Sequence, residues 1–80
     1  NKSNLQLNIE LAIKDGRKIK FLYKKPSDNY FKERTIFPKE ITEFNHTYQD
    51  GKTICVKGIC DLRKAERNFA LKRMKELKIL

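Results

Sequence analysis

The chain has 80 residues, with 19 Lys or Arg against 10 Asp or Glu and a net charge of +9. That length allows one small domain with one modest core and leaves little room for a deep substrate cleft. Eight aromatic residues spread along the sequence exclude a disordered chain, no apolar run approaches the roughly 20 residues of a membrane-spanning helix, and no signal-peptide pattern opens it.

The first residue is Asn1 rather than Met, so residues 1–80 are expected to form a single domain of a longer protein. Ser3 with Gln6 three residues on matches a capping box. Leu5, Ile9, Ala12 and Ile13 recur at helical spacing, Leu7 and Leu11 widen the stripe, and Gly16 stands where a left-handed helix end belongs. A helix over 4–15, packed hard on the rest, is predicted. Beyond Gly16 the period changes to alternation: Ile19, Phe21 and Tyr23 point one way and Lys18, Lys20 and Lys24 the other, giving a half-buried strand. Pro26-Ser27-Asp28-Asn29 is a turn by composition. A second strand is expected from Tyr30 to Phe37, closed by Pro38, and a third from Ile41 to Tyr48. Asp50-Gly51 is a hairpin signal, and a fourth strand runs from Thr53 to Cys60, with Gly58 marking a bulge or a close backbone approach. A turn over Arg63 to Glu66, a fifth strand over Asn68 to Leu71, and a turn plus short strand over Met74 to Leu80 complete the chain. The fold class is therefore mainly β with one N-terminal helix. Five short strands suggest a small, strongly bent β-barrel with the helix across one opening, since closure would remove exposed edges.

Catalysis lacks its pieces. His46 is the only histidine, in a polar loop-like stretch, and no Ser or Cys has a recognisable base at motif spacing. One histidine with Cys55 and Cys60 does not match a zinc site, and the three glycines stand alone, so no phosphate loop is present. No metal or cofactor is expected. Cys55 and Cys60 lie an odd number of residues apart, so on one regular strand they face opposite ways and cannot pair, as suits buried thiols in a reducing cytoplasm.

The charge is uneven. Residues 1–51 carry ten cations and seven acids, whereas 52–80 carry nine and three. A lysine-rich surface without a binding role is the plainer explanation of the total, but the asymmetry favours a binding face for a polyanion. Within that segment, Arg67, Phe69, Leu71 and Arg73 would share one face of a regular strand and bury two cations, so a break near Lys72 is expected to re-aim Arg73. Arginine's planar fork suits a bidentate grip on phosphate; the competing role for Arg67 and Arg73 is pairing with Asp61, Glu66 or Glu76 to hold the fold. Tyr23, Tyr30, Phe31 and Tyr48 could stack on unpaired bases, Tyr23 being the one selected.

These residues resemble the WYL domain family over nearly the whole chain. Ala12 to Ile19 with Phe21 and Tyr23 looks like the family's opening, and Arg34 followed by Pro38 like its middle strand. The run from Gly58 to Leu77, which reads G-x-C-x-L-R-x-x-x-R-x-F-x-L-x-R-M-x-x-L, is the most specific part. The Trp-Tyr-Leu triplet itself aligns with Ile54-Cys55-Val56, which keeps apolar character at the ends and replaces the tyrosine by a thiol. Lys72 stands where many members have Asp. The resemblance implies a small Sm-like, five-stranded bent barrel that is non-catalytic and regulates the protein to which it belongs. Many members follow a helix-turn-helix domain in transcription regulators, and some are appended to helicases. Single-stranded DNA is the ligand it implies, with Arg67 and Arg73 matching the family's ligand-binding arginines and Arg63 supporting them. With Lys57 and Tyr23, these form the set of candidate nucleic-acid-binding residues. The leading expectation is an accessory domain of a DNA helicase that binds single-stranded DNA. The alternatives are a sensor of nucleic acid or nucleotide in a transcription regulator, and a protein-interaction module whose basic face docks an acidic partner or another domain of its own chain, in each case without a membrane.

Overall fold

The computed structural model describes residues 3–45 and 52–80. Helix α1 (Asn4–Asp15) starts where Ser3 Oγ accepts the Gln6 backbone N–H at 3.2 Å. Only half of the expected capping box forms, because the Gln6 amide donates to Glu10 Oε2 at 3.3 Å, one turn onward. The helix ends at Gly16, whose left-handed backbone (φ 66°) allows Gly16 N–H to reach Ile13 O and Arg17 N–H to reach Ala12 O. Ile9 and Ala12 are fully buried, and Leu5 and Ile13 pack at the edge of the core. Leu7 and Leu11 do not join them; they remain 44% and 52% exposed, so the buried stripe is narrower than the sequence pattern. The helix is too short and polar to cross a membrane, and no other described helix could.

Strand β1 (Ile19–Tyr23) alternates as expected, with Ile19, Phe21 and Tyr23 buried. The two strands expected on either side of Pro38 are one strand, β2 (Lys32–Asn45). Proline does not end it, because the register against β3 (Lys52–Cys60) shifts between Pro38 and Glu40. The one-residue bulge absorbs the missing N–H donor and bends the strand. The same shift changes which residues face the core, from Ile36 and Pro38 before it to Ile41 after it. Strand β4 (Glu66–Ala70), a 3-10 turn (Leu71–Arg73) and β5 (Met74–Ile79) follow. His46, Tyr48 and the Asp50-Gly51 hairpin signal lie outside the described residues.

All pairings are antiparallel, and the sheet order is β4-β3-β2-β1-β5. The fold is mainly β with one N-terminal helix, in the small Sm-like arrangement, but the sheet does not close into a barrel. β4 and β5 are its two edges, joined through the 3-10 turn and not by a ladder. What holds the β4 edge to β1 is a side chain: Tyr23 Oη accepts the Ala70 N–H at 3.0 Å. On the other edge, β5 carries a bulge where Glu76 takes φ 54° and the pairing with β1 slips between Lys20 and Leu22. Both devices blunt edges that closure would have removed.

Gly58 of β3 pairs with Pro38 of β2, beside the bulge. A Cβ there would meet Phe37 O at 2.6 Å and Pro38 Cα at 3.0 Å, both of them backbone atoms. Gly58→Ala is therefore expected to destabilise the domain by about 1–3 kcal/mol, the usual cost of overpacking, measured by urea unfolding; wild-type stability would show that the strands can part. Tyr23→Phe leaves the buried Ala70 N–H without its acceptor. It should cost about 1–3 kcal/mol, with ring packing retained in the aromatic NMR shifts.

Candidate functional site

The bent sheet gathers cations at one place. Arg34 of β2 lies opposite Phe21 of β1, and residues opposite each other across a ladder share a face. Arg34 therefore projects on the core side of the sheet, at its rim. Arg67 of β4 pairs with Gly58 and precedes Phe69 by two residues, which puts it on the same side as that buried ring. The β3–β4 turn brings in Arg63. It is built by Lys64 N–H to Cys60 O (2.7 Å), Cys60 N–H to Ala65 O (3.0 Å) and Asp61 N–H to Thr35 O (3.0 Å), with Lys64 in the left-handed region at φ 54°. A Lys18–Asp61 ion pair at 2.9 Å ties this turn to the segment before β1.

Together these elements enclose a cavity of about 50 Å³ lined by Lys25, Arg34, Arg63 and Arg67, with Cys60, Leu62 and Phe69 as its apolar wall. No carboxylate lines it. Arg34 donates to the carbonyl of Glu33 at 3.1 Å, and among the described residues neither Arg34, Arg63, Arg67 nor Arg73 forms an ion pair. The carboxylates expected as their partners are engaged elsewhere or apart: Asp61 with Lys18, and Glu66 with Lys57 and Lys39, each at 3.4 Å. The Lys57 hydrogen bond and charge, followed by those of Lys39, hold the Glu66 carboxyl below its ordinary range. A larger cleft of about 430 Å³ adjoins the cavity and shares Arg34, Cys60 and Leu62 with it, adding Glu33, Thr35, Asp61 and Lys64.

Of the residues singled out from the sequence, Arg63 and Arg67 are brought together in this cavity. Arg73 is not: the expected break is the 3-10 turn Leu71–Arg73, and it sets Arg73 half-buried near Cys55, its carbonyl accepting the Lys24 N–H at 3.3 Å. Burial pushes the Cys55 thiol up, against the opposing charges of Arg73 and Lys72. Cys55 and Cys60 are both buried and free. Lys57 is held in the Glu66 ion pair, and Tyr23 is buried, its ring edge-to-face with Phe69 (5.1 Å between centroids) and Phe21 (6.1 Å). Among the described residues the exposed rings are Tyr30, Phe31 and Phe37, with Lys75 Nζ 4.0 Å from the Phe31 centroid.

Lys25 and Arg34 were not among the site residues the sequence suggested. A signal for Arg34 existed in its parity with Ile36, which makes it a cation at an inward strand position. Lys25 had none, because a turn places it. That turn depends on Asp28, whose Oδ2 accepts the Lys25 N–H at 3.1 Å while its own N–H reaches Lys25 O at 2.9 Å. The Lys25 hydrogen bond is the main cause that holds the Asp28 carboxyl below its ordinary value of 3.8, with Lys32 adding to it. A depressed carboxyl stabilises its turn above the unfolded value, and that contribution is lost as pH falls through the lower folded value. An NMR titration should thus find Asp28 ionising below 3.8, with the Lys25 amide shift following the same curve; an amide that ignores Asp28 protonation would dissociate the two.

Comparison with known proteins places the fold. Among solved structures, a chain of proteasome accessory factor B/C (PafBC) of Arthrobacter aurescens superposes with a TM-score of 0.73 at 23% identity, over 92% of this chain and 11% of that one. At that identity the likeness is one of fold, and the chain spans only a small part of the PafBC chain's length. No curated protein matches the sequence. The sequence profile of the WYL domain matches residues 5–79, from the first turn of α1 to the end of β5, and the chain belongs to the WYL domain family.

Proposed function

We propose that this domain is a non-catalytic regulatory module that senses an anionic ligand of the nucleic-acid or nucleotide type within a transcription regulator. The observation that carries the reading is the collection of Lys25, Arg34, Arg63 and Arg67 around one cavity with no carboxylate in its lining. Like charges held together without a counterion repel, and a bound anion relieves that repulsion. Arg34 and Arg67 are half-buried, where guanidinium groups are less screened and their planar forks are held for bidentate contact with phosphate oxygens. Membership of a family of regulatory domains supports the same reading. The regulator context stands ahead of the helicase context because the family is more often found behind a helix-turn-helix domain. Single-stranded DNA is the first ligand to test.

Binding of a short oligothymidylate should weaken steeply with salt, because displaced counterions supply much of the affinity. Arg67→Gln should lower the affinity and reduce the slope of log K against log salt by about 0.7, as for one lost phosphate contact on a single strand. Its thermal unfolding should stay close to wild type. A salt-independent affinity would defeat the phosphate grip, and unfolding of the variant would assign Arg67 to the fold instead.

A further inference from the structure

We infer that the cavity takes the terminal phosphomonoester of its ligand and excludes a phosphodiester inside a strand. This deepens the nucleotide-type reading above and rests on it. Three observations lead to it, and the first is size. A cavity needs about 10–15 Å³ to hold one water, so about 50 Å³ admits a few water-sized atoms. That suits the oxygens of one phosphate and is too small for a nucleobase. The second is enclosure. Buried Cys60 and Phe69 line the cavity together with the cations, and Leu62 of the β3–β4 turn completes its apolar wall. A phosphodiester must continue through an ester bond on two sides, whereas a terminal phosphate needs one way out. One is present: the larger cleft shares Arg34, Cys60 and Leu62 with the cavity and has room for the attached nucleoside.

The third observation is charge. Four cations line the cavity without an acid. A diester brings one negative charge, and a terminal monoester about −1.5 to −2 at neutral pH. The monoester also offers a further terminal oxygen to the guanidinium forks. The acids Glu33 and Asp61 lie in the cleft and not in the cavity, and so on the nucleoside side of the proposed ligand. Leu62, 82% exposed in the domain alone, gives that side an apolar contact.

The test uses the 80-residue chain and a set of probes: one oligothymidylate with a 5′-phosphate, with a 3′-phosphate, or with hydroxyls at both ends, together with thymidine monophosphate and inorganic phosphate. At least one end-phosphorylated strand should bind about tenfold or more tightly than the hydroxyl-ended strand, the gain expected from one added charged contact. That preference should shrink as pH falls through about 6, where the monoester takes its second proton. Arg67→Gln and Arg34→Gln should weaken the end-phosphorylated strand far more than the hydroxyl-ended one and so erase the preference, with Arg34→Lys retaining part of it; a purely structural role would lower all probes alike. A mononucleotide matching the phosphorylated strand supports the inference and identifies the ligand as a single nucleotide. Equal affinity for phosphorylated and hydroxyl-ended strands overturns the inference while leaving nucleic-acid sensing intact. Failure of every probe to bind overturns both.

Discussion

The contact on which the rest of this small domain depends is a cluster of three rings fastened by one hydroxyl. Phe21, Tyr23 and Phe69 meet edge-to-face, with centroids 5.1–6.1 Å apart, and Tyr23 Oη accepts the Ala70 N–H. Two of the rings come from β1 and the third from β4, strands separated in the sheet by β2 and β3. The cluster thus does across the interior what a barrel's closing ladder does along its edge. Aromatic pairs of this geometry contribute about 0.5–1.5 kcal/mol each beyond the area they bury, and the hydroxyl adds direction. Arg67 stands two residues before Phe69, so the cluster that anchors β4 also sets the position of a cavity cation. Structure and site share one strand and one anchor.

Charge is divided between two kinds of residue. Lysines take the acids: Lys18 with Asp61, Lys20 with Glu33, Lys32 with Asp28, and Lys39 and Lys57 with Glu66. Exposed pairs of this kind contribute only about 0–1 kcal/mol each, so they do little for stability. Their effect is on availability. By engaging Asp61 and Glu66 next to the basic turn, they leave Arg63 and Arg67 without an internal carboxylate. The arginines, whose geometry suits phosphate, form no ion pair among the described residues.

Much of this was legible in the sequence. The limits of α1, the alternation in β1 and the turn that re-aims Arg73 follow from local rules of capping, period and cost of burial, and those rules hold here because the segments obey them without conflict. Two features were not legible for a common reason, which is that each is decided by a partner strand. Pro38 reads as a strand terminator only if the ladder is regular, and a bulge set by the register with β3 removes the conflict. Closure of the sheet depends on whether β4 and β5 meet, and the 3-10 turn between them directs them apart. The cavity stands between these cases. Arg63 and Arg67 could be picked out from composition, but Lys25 and Arg34 join them only through the turn held by Asp28 and the β1–β2 register.

The bulge between Pro38 and Glu40 also divides one strand into two territories. On its N-terminal side the inward positions of β2 are Arg34, Ile36 and Pro38, the first of which lines the cavity; on its C-terminal side Ile41 pairs with Val56 and packs against the core. Since facing alternates residue by residue, the extra residue lets the second half keep its own hydrophobic phase without imposing it on the first. A family built on this strand can lengthen, shorten or re-pattern the hairpin beyond the bulge while the cavity half stays in register. Cavity-facing and purely architectural positions can then diverge independently along a single continuous element.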